Sequence, residues 1–241
     1  MDTATPDVDV SAGRRIIAVV AAVAALTATT VLANRVVAGW AYPLCGVGAT
    51  ALLLGLARWC GLGATQVGLG QRTLRRAALF GLFGSGIVAL LLATALIVPP
   101  LRPVFTDGRV GTYGVGTLLW IILLRIPLGT VLIKEVAFRG VLPALLGPAD
   151  RWRRLPALTS AALFGLWHAL PSLALTRNAA VAATFPDTPL WIVSAVAMTA
   201  AAAVGLLLHW CRHIGQGVLT PILIHLTLNC GGLLTAWLLH P

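Results

Sequence analysis

One lysine and one glutamate occur in 241 residues, and charged residues make up only 10% of the chain. A soluble globular domain carries about 25%. With 59% hydrophobic residues and a mean hydropathy of +0.93, a globule in water would expose large apolar patches and aggregate. The solvent for most of the chain is therefore lipid. Cysteine is scarce as well. Cys45, Cys60, Cys211 and Cys230 form no CxxC pair, which supports neither a disulfide framework nor a cysteine metal site. No HExxH pattern is present. The net charge of +10 comes without an aromatic-interleaved basic run, so membrane topology accounts for it better than nucleic acid does. No internal repeat is visible, which counts against a transporter.

What is present is a series of apolar runs long enough to cross the hydrocarbon core as helices, which takes about 20 residues. Seven are expected: Arg15–Leu32, Ala41–Ala57, Ala77–Val98, Gly116–Leu146, Pro156–Leu175, Leu190–Leu208 and Gly217–Leu238. The fold class is thus all-α, a polytopic transmembrane helical bundle of about seven helices with room for an eighth. The fourth run is too long for one straight span and contains Pro127, which predicts a kink or a projection beyond the membrane. The first run follows Arg14 and Arg15 as a signal peptide would, but it exceeds a signal-peptide core and is read as a retained span. The residues before it, 1–13, read as a polar, disordered tail. The loop from Arg58 to Arg76 is basic and Gly-rich and reads as a connector touching anionic lipid. Its GLGQR is not a nucleotide loop, because no strand precedes it.

Basic residues favour the cytoplasmic side. Ten arginines fall on one side: Arg14, Arg15, Arg58, Arg72, Arg75, Arg76, Arg151, Arg153, Arg154 and Arg212. Four fall on the other: Arg35, Arg102, Arg109 and Arg177. This asymmetry predicts a cytoplasmic N-terminus in a bacterial cytoplasmic membrane.

An ionisable side chain inside a span is expensive and usually marks function. The candidates are Arg125, Lys134, Glu135, Arg139, His168 and His225, with Asn229 as the strongest neutral group. Helical rise places Glu135, His168 and Asn229 each about 18 Å in from the cytoplasmic end of their spans, and His225 about 12 Å. Three helices thus bring polar groups to one layer. Residues four apart share a helix face, which pairs Glu135 with Arg139, Phe164 with His168, and His225 with Asn229. A carboxylate can take a proton from water, an imidazole can hold that water, and a second imidazole with an amide can stabilise an oxyanion. That chemistry suits hydrolysis of a carbonyl substrate. The alternative is two histidines and a carboxylate on zinc, with Glu135, His168 and His225 as the ligands. Nothing in the sequence requires a cofactor. Structural readings compete: the Glu135–Arg139 pair can simply neutralise itself, and Arg125 can snorkel or bind a carbonyl. His209, His213 and His240 are placed in a loop and at the terminus, with no role.

EVAFRG at 135–140, FGLWH at 164–168 and HLTLN at 225–229 together resemble the CPBP family of intramembrane proteases, which includes CaaX prenyl proteases of the Rce1 type and Abi bacteriocin-immunity proteins. The family motifs are EExxxR, FxxxH and HxxxN, in that order. The resemblance implies three regions: the tail, N-terminal membrane helices over 14–115, and a catalytic core over 116–241. It implies an intramembrane endopeptidase with a cavity open towards the cytosol, acting on a peptide near a membrane-anchored end, and often labelled a metalloprotease. Carried over, Glu135 and His168 would activate water, His225 and Asn229 would support the oxyanion, and Arg139 and Phe164 would position them. The departure is Lys134, which stands where the family has its first Glu. Glu135 could act as base after a modest helix rotation, Lys134 could be the base itself, or the chain could bind without cleaving, as an immunity protein would.

Overall fold

The computed structural model describes residues 12–106, 110–147 and 153–239. Among these residues, six helices are long and apolar enough to cross a membrane: α1 (Ala12–Val36), α2 (Gly39–Trp59), α3 (Gln71–Ile97), α4 (Val115–Leu146), α7 (Leu190–Gly215) and α8 (Leu219–Leu239). A bent pair, α5 (Arg154–Trp167) and α6 (Ala169–Arg177), makes a seventh span if counted as one. The expected all-helical bundle of about seven spans is thus the observed architecture. The tail expected at residues 1–13 lies outside the described residues, except for Ala12 and Gly13, which open α1.

The bundle is built around the second half of α4. Every residue from Ile133 to Leu145 is buried, and a helix buried on all sides is a central one. Ala18, Ala22 and Leu26 of α1, Leu53 and Ala57 of α2, and Phe164 of α5 pack on it in one core cluster. The outer faces are apolar, with Phe83, Ile97 and Trp191 all more than 70% exposed, as a lipid-facing surface requires. Small residues let the helices approach closely. A Cβ on Gly46 of α2 would lie 2.3 Å from the Leu128 carbonyl oxygen of α4, and one on Gly129 would lie 2.4 Å from the Tyr42 ring.

Four local features go beyond or differ from the sequence expectation. Pro127 lies inside α4 without ending it. The helix widens to π-helical hydrogen bonding over Ile121–Val131, which accommodates a residue that lacks an N–H and crowds the preceding turn. It widens again over Val136–Val141, directly after Glu135. The fifth span is not continuous but bends by 43° at His168. The loop expected over His209–Gln216 is helical almost throughout, because α7 runs to Gly215 and ends on Gln216 in a left-handed turn at φ 58°. His209 and Arg212 are therefore buried in α7. Finally, the loop between α2 and α3 folds inwards: Cys60, Leu62 and Val67 are buried, and Val218 N donates to Gly68 O at 2.9 Å.

The two ends of the bundle are distinct. At one end Arg14 lies over Trp59, 5.6 Å from its ring centroid, and Arg76 Nε donates to Ile214 O at 2.9 Å. This is the basic end expected from arginine counting. At the far end Asn178 Nδ2 donates to Val104 O and Trp237 Nε1 donates to Tyr113 O, each at 2.8 Å.

Gly46→Leu should push α2 off α4, since overpacking a tight contact costs about 1–3 kcal/mol or more. Gly48 lies on the same helix, and a Cβ added there would meet nothing within 4 Å, so it should accept leucine. Thermal unfolding in detergent checks this: a lower Tm for Gly46→Leu and an unchanged one for Gly48→Leu.

Candidate active site

Lys134 and Glu135 are neighbours on α4, and successive helical residues point about 100° apart. They therefore serve two different clusters. Glu135 is fully buried, and its Oε1 accepts from Arg139 Nη1 at 3.1 Å and from His225 Nδ1 of α8 at 2.5 Å. Its second oxygen, Oε2, is buried with no hydrogen-bond partner among the described residues. Arg139 is equally buried, and its Nη2 donates to Gly205 O of α7 at 3.1 Å. Its guanidinium lies 4.1 Å from the Phe164 ring centroid. One carboxylate thus ties α4 to α8, and its arginine ties α4 to α7 and α5.

Lys134 points to the bend between α5 and α6. Its Nζ lies 3.2 Å from His168 Nε2 and 5.7 Å from the Phe164 centroid. His168 Nδ1 lies 2.7 Å from Phe164 O. A carbonyl oxygen can only accept, so Nδ1 carries the proton and Nε2 presents its lone pair to Lys134. The bend matters here, because His168 N donates to Gly165 O instead of continuing the α-helical pattern. Phe164 is the hub of the site: its ring packs edge-on against His168 at 4.8 Å and His225 at 6.2 Å between centroids.

Of the residues expected from the sequence, the structure brings Lys134, Glu135, Arg139, Phe164, His168 and His225 together. Asn229 stands one turn beyond His225, half-buried, on the wall of a cavity of about 660 Å³. That cavity is also lined by Tyr42, Tyr113, Arg125, Thr130 and Pro171. Arg125 is its charged residue and stacks 4.9 Å from the Tyr42 centroid. Ser160 and Gly205 escape the sequence reading. Ser160 is buried, and its hydroxyl donates to Phe138 O, holding α5 against α4. It lies four residues before Phe164, so a polar residue on the site's own face was the available signal. Gly205 contributes a backbone carbonyl, which sequence does not advertise.

The residues present do not fit a zinc ion. Among the described residues no group of three or more His, Cys, Asp or Glu side chains could hold a metal. The lone pair of His168 Nε2 faces the Lys134 amine, which leaves only Glu135 Oε2 and His225 Nε2, fewer than the three protein ligands a zinc site takes.

Removing Arg139 alone should leave a buried carboxylate without its counter-ion, a change that costs about 3–5 kcal/mol. Arg139→Ala should therefore unfold far more readily in detergent than the double variant Glu135→Gln/Arg139→Met. Equal losses in the two would show that the pair's charge compensation is not what the core depends on.

The family model described as Type II CAAX prenyl endopeptidase Rce1-like matches residues 116–231. The matched segment runs from α4 to α8 and holds every one of the clustered groups. No curated protein and no solved structure matches the chain. The matched core, with its Glu–Arg pair on α4, its histidine at the α5–α6 bend and its His–Asn pair on α8, is thus similar, over residues 116–231, to the Rce1-like family of type II CAAX prenyl endopeptidases.

Proposed function

We propose that the protein is an intramembrane endopeptidase that hydrolyses a peptide bond near a membrane-anchored end, with Lys134 rather than a carboxylate taking the proton from water. The observation that carries this reading is the 3.2 Å contact between Lys134 Nζ and His168 Nε2. Arg139 already balances Glu135, so the cluster has no net charge when Lys134, His168 and His225 are neutral. A site inside lipid strongly favours such balance. A neutral Lys134 donates one N–H to His168 and directs its lone pair at a water, a role buried lysines take as general bases.

The water oxygen attacks the carbonyl carbon as its proton passes to Lys134. The oxyanion then accepts from the Asn229 amide and from the ammonium just formed. Lys134 returns the proton to the leaving nitrogen, the C–N bond breaks, and a carboxylic acid and an amine result. His225, with its Nδ1 proton on Glu135, offers Nε2 as an acceptor for the water's other proton. Glu135, Arg139 and Phe164 are positioning residues in this scheme, and the expected use of Glu135 as base is replaced by its use as an anchor. The substrate is a membrane-anchored peptide or protein.

One observation favours a second reading. Both hydrogen-bond donors on Glu135 Oε1 hold it in a structural pair, and the family's first Glu is Lys134 here. A chain without a working base would keep the cavity and bind peptide without cleaving it, as a membrane binding or bacteriocin-immunity protein.

Cleavage of a membrane-anchored peptide by the purified protein separates the two. The peptidase reading expects wild-type cleavage, lowered by about 10²–10⁴-fold in Lys134→Met and in His168→Phe with Tm retained. Undiminished cleavage by Lys134→Met would remove the lysine from the mechanism. Cleavage absent in wild type and gained in Lys134→Glu would establish the binding reading.

A further inference from the structure

Another cavity, at the basic end of the bundle, is lined for charge. It measures about 460 Å³ and lies where the α2–α3 loop meets the start of α3 and the end of α7. Small-molecule pockets span about 300–1,000 Å³. The wall carries two guanidiniums, Arg76 and Arg212, with the His213 imidazole, the Thr65 and Thr73 hydroxyls and the Gln216 amide. No carboxylate is among the described residues that line it. Positive charge and hydrogen-bond donors are thus gathered on one concave surface.

The fold holds both arginines in place. Arg76 Nε donates to Ile214 O at 2.9 Å, and the guanidinium stacks on Phe80, 5.5 Å from its centroid. That bond also covers a carbonyl at the C-terminal, negative end of α7, so the helix end does not set the sign of the cavity. Arg212 is only 6% exposed. Its Nη2 and Nε lie 3.1 and 3.3 Å from where a Cβ on Gly68 would stand. Gly68 has φ 77°, a left-handed backbone that favours glycine, and its carbonyl oxygen accepts from Val218 N at 2.9 Å. The loop is thereby fixed to the turn between α7 and α8, with room left for the guanidinium. Thr65, Arg76 and Gln216 are exposed whereas Arg212 is buried, so the cavity has an open rim and a buried cation within.

A phosphate group matches this wall. Guanidinium forks donate to it two N–H groups at a time, and hydroxyl and amide donors serve its remaining oxygens. We propose that the cavity binds a phosphate group, carried by an anionic lipid headgroup or free in solution. The surroundings favour the lipid. Phe80, on which Arg76 stacks, is 41% exposed, and Leu79 and Phe83 beside it on α3 are exposed as well. Acyl chains lying along α3 would continue from a headgroup held at its start, and basic clusters where spans end attract anionic lipid. A bound phosphate would bridge α3, α7 and the α2–α3 loop. The proposal does not depend on the peptidase reading.

The test uses the purified full chain in detergent, titrated separately with phosphatidylglycerol, phosphatidylcholine and inorganic phosphate, and followed by native mass spectrometry and by Tm. Wild type should retain phosphatidylglycerol and gain Tm with its concentration, and zwitterionic phosphatidylcholine should do neither. Removing one cation in Arg76→Gln, or adding an anion at the rim in Thr65→Glu, should weaken binding by about fivefold. Thr65→Glu alters an exposed loop residue, so it decides the matter even if Arg76→Gln fails to fold. Arg75→Gln removes an exposed arginine that does not line the cavity, and it should bind as wild type does. Binding of inorganic phosphate without a gain from phosphatidylglycerol, weakened in the same two variants, keeps the site and assigns it to free phosphate. Equal weakening in Arg75→Gln would show a general surface attraction and overturn the proposal. Undiminished binding in Arg76→Gln and Thr65→Glu, or no preference for phosphatidylglycerol or phosphate over phosphatidylcholine, overturns it too.

Discussion

A single carboxylate organises this bundle. Glu135 is the chain's only glutamate, and it is fully buried. Its Oε1 gathers Arg139 and His225, and Arg139 in turn reaches Gly205 and covers Phe164. Four helices are joined through that one group. In lipid there is no hydrophobic driving force between helices, so such polar contacts and close packing must hold them together. The same isolation makes the pair unforgiving, because either partner left alone is an uncompensated charge in a low-dielectric core.

In the proposed mechanism that constraint sets the part Glu135 plays. A carboxylate committed to an arginine and a histidine is an anchor, and it fixes the imidazole of His225 much as a carboxylate fixes a metal-bound or catalytic histidine. In the proposed mechanism the task of handling a proton falls to Lys134, its neighbour in the chain. Lys134 faces His168 at the one point where the fifth span bends, and the bend allows His168 to lodge its Nδ1 proton on its own helix and present Nε2. The π-helical turns of α4 on either side of this dipeptide are the kind of local widening often found at functional sites.

Much of this is legible in the sequence. Composition alone requires lipid, apolar run lengths give the spans, and the depths of Glu135, His168 and Asn229 point to one layer. The i, i+4 rule yields the Glu135–Arg139 pair because both sit on one helix, and the pair persists where that helix widens over Val136–Val141. It says nothing about which group His225 or Lys134 meets, since that depends on how helices are rotated against each other. The break at His168 is hidden because nothing in LWHALP declares it strongly enough against a continuous apolar run. His209 and Arg212 read as a loop because polar residues near a span's end look like a connection, whereas α7 carries them inside. Asn229 shares a face with His225, as expected, yet its half-exposed place on the cavity wall depends on where the neighbouring helices stand.

The proposed chemistry turns on the hydrogen bond that Lys134 makes to His168. The most direct measurement is the ¹⁵N NMR signature of the His168 ring in the membrane-embedded protein, recorded for wild type and for Lys134→Met. A neutral ring protonated at Nδ1 is expected, with an Nε2 resonance that shifts when the lysine is removed. A ring protonated at Nε2, or an Nε2 resonance indifferent to Lys134→Met, would contradict it.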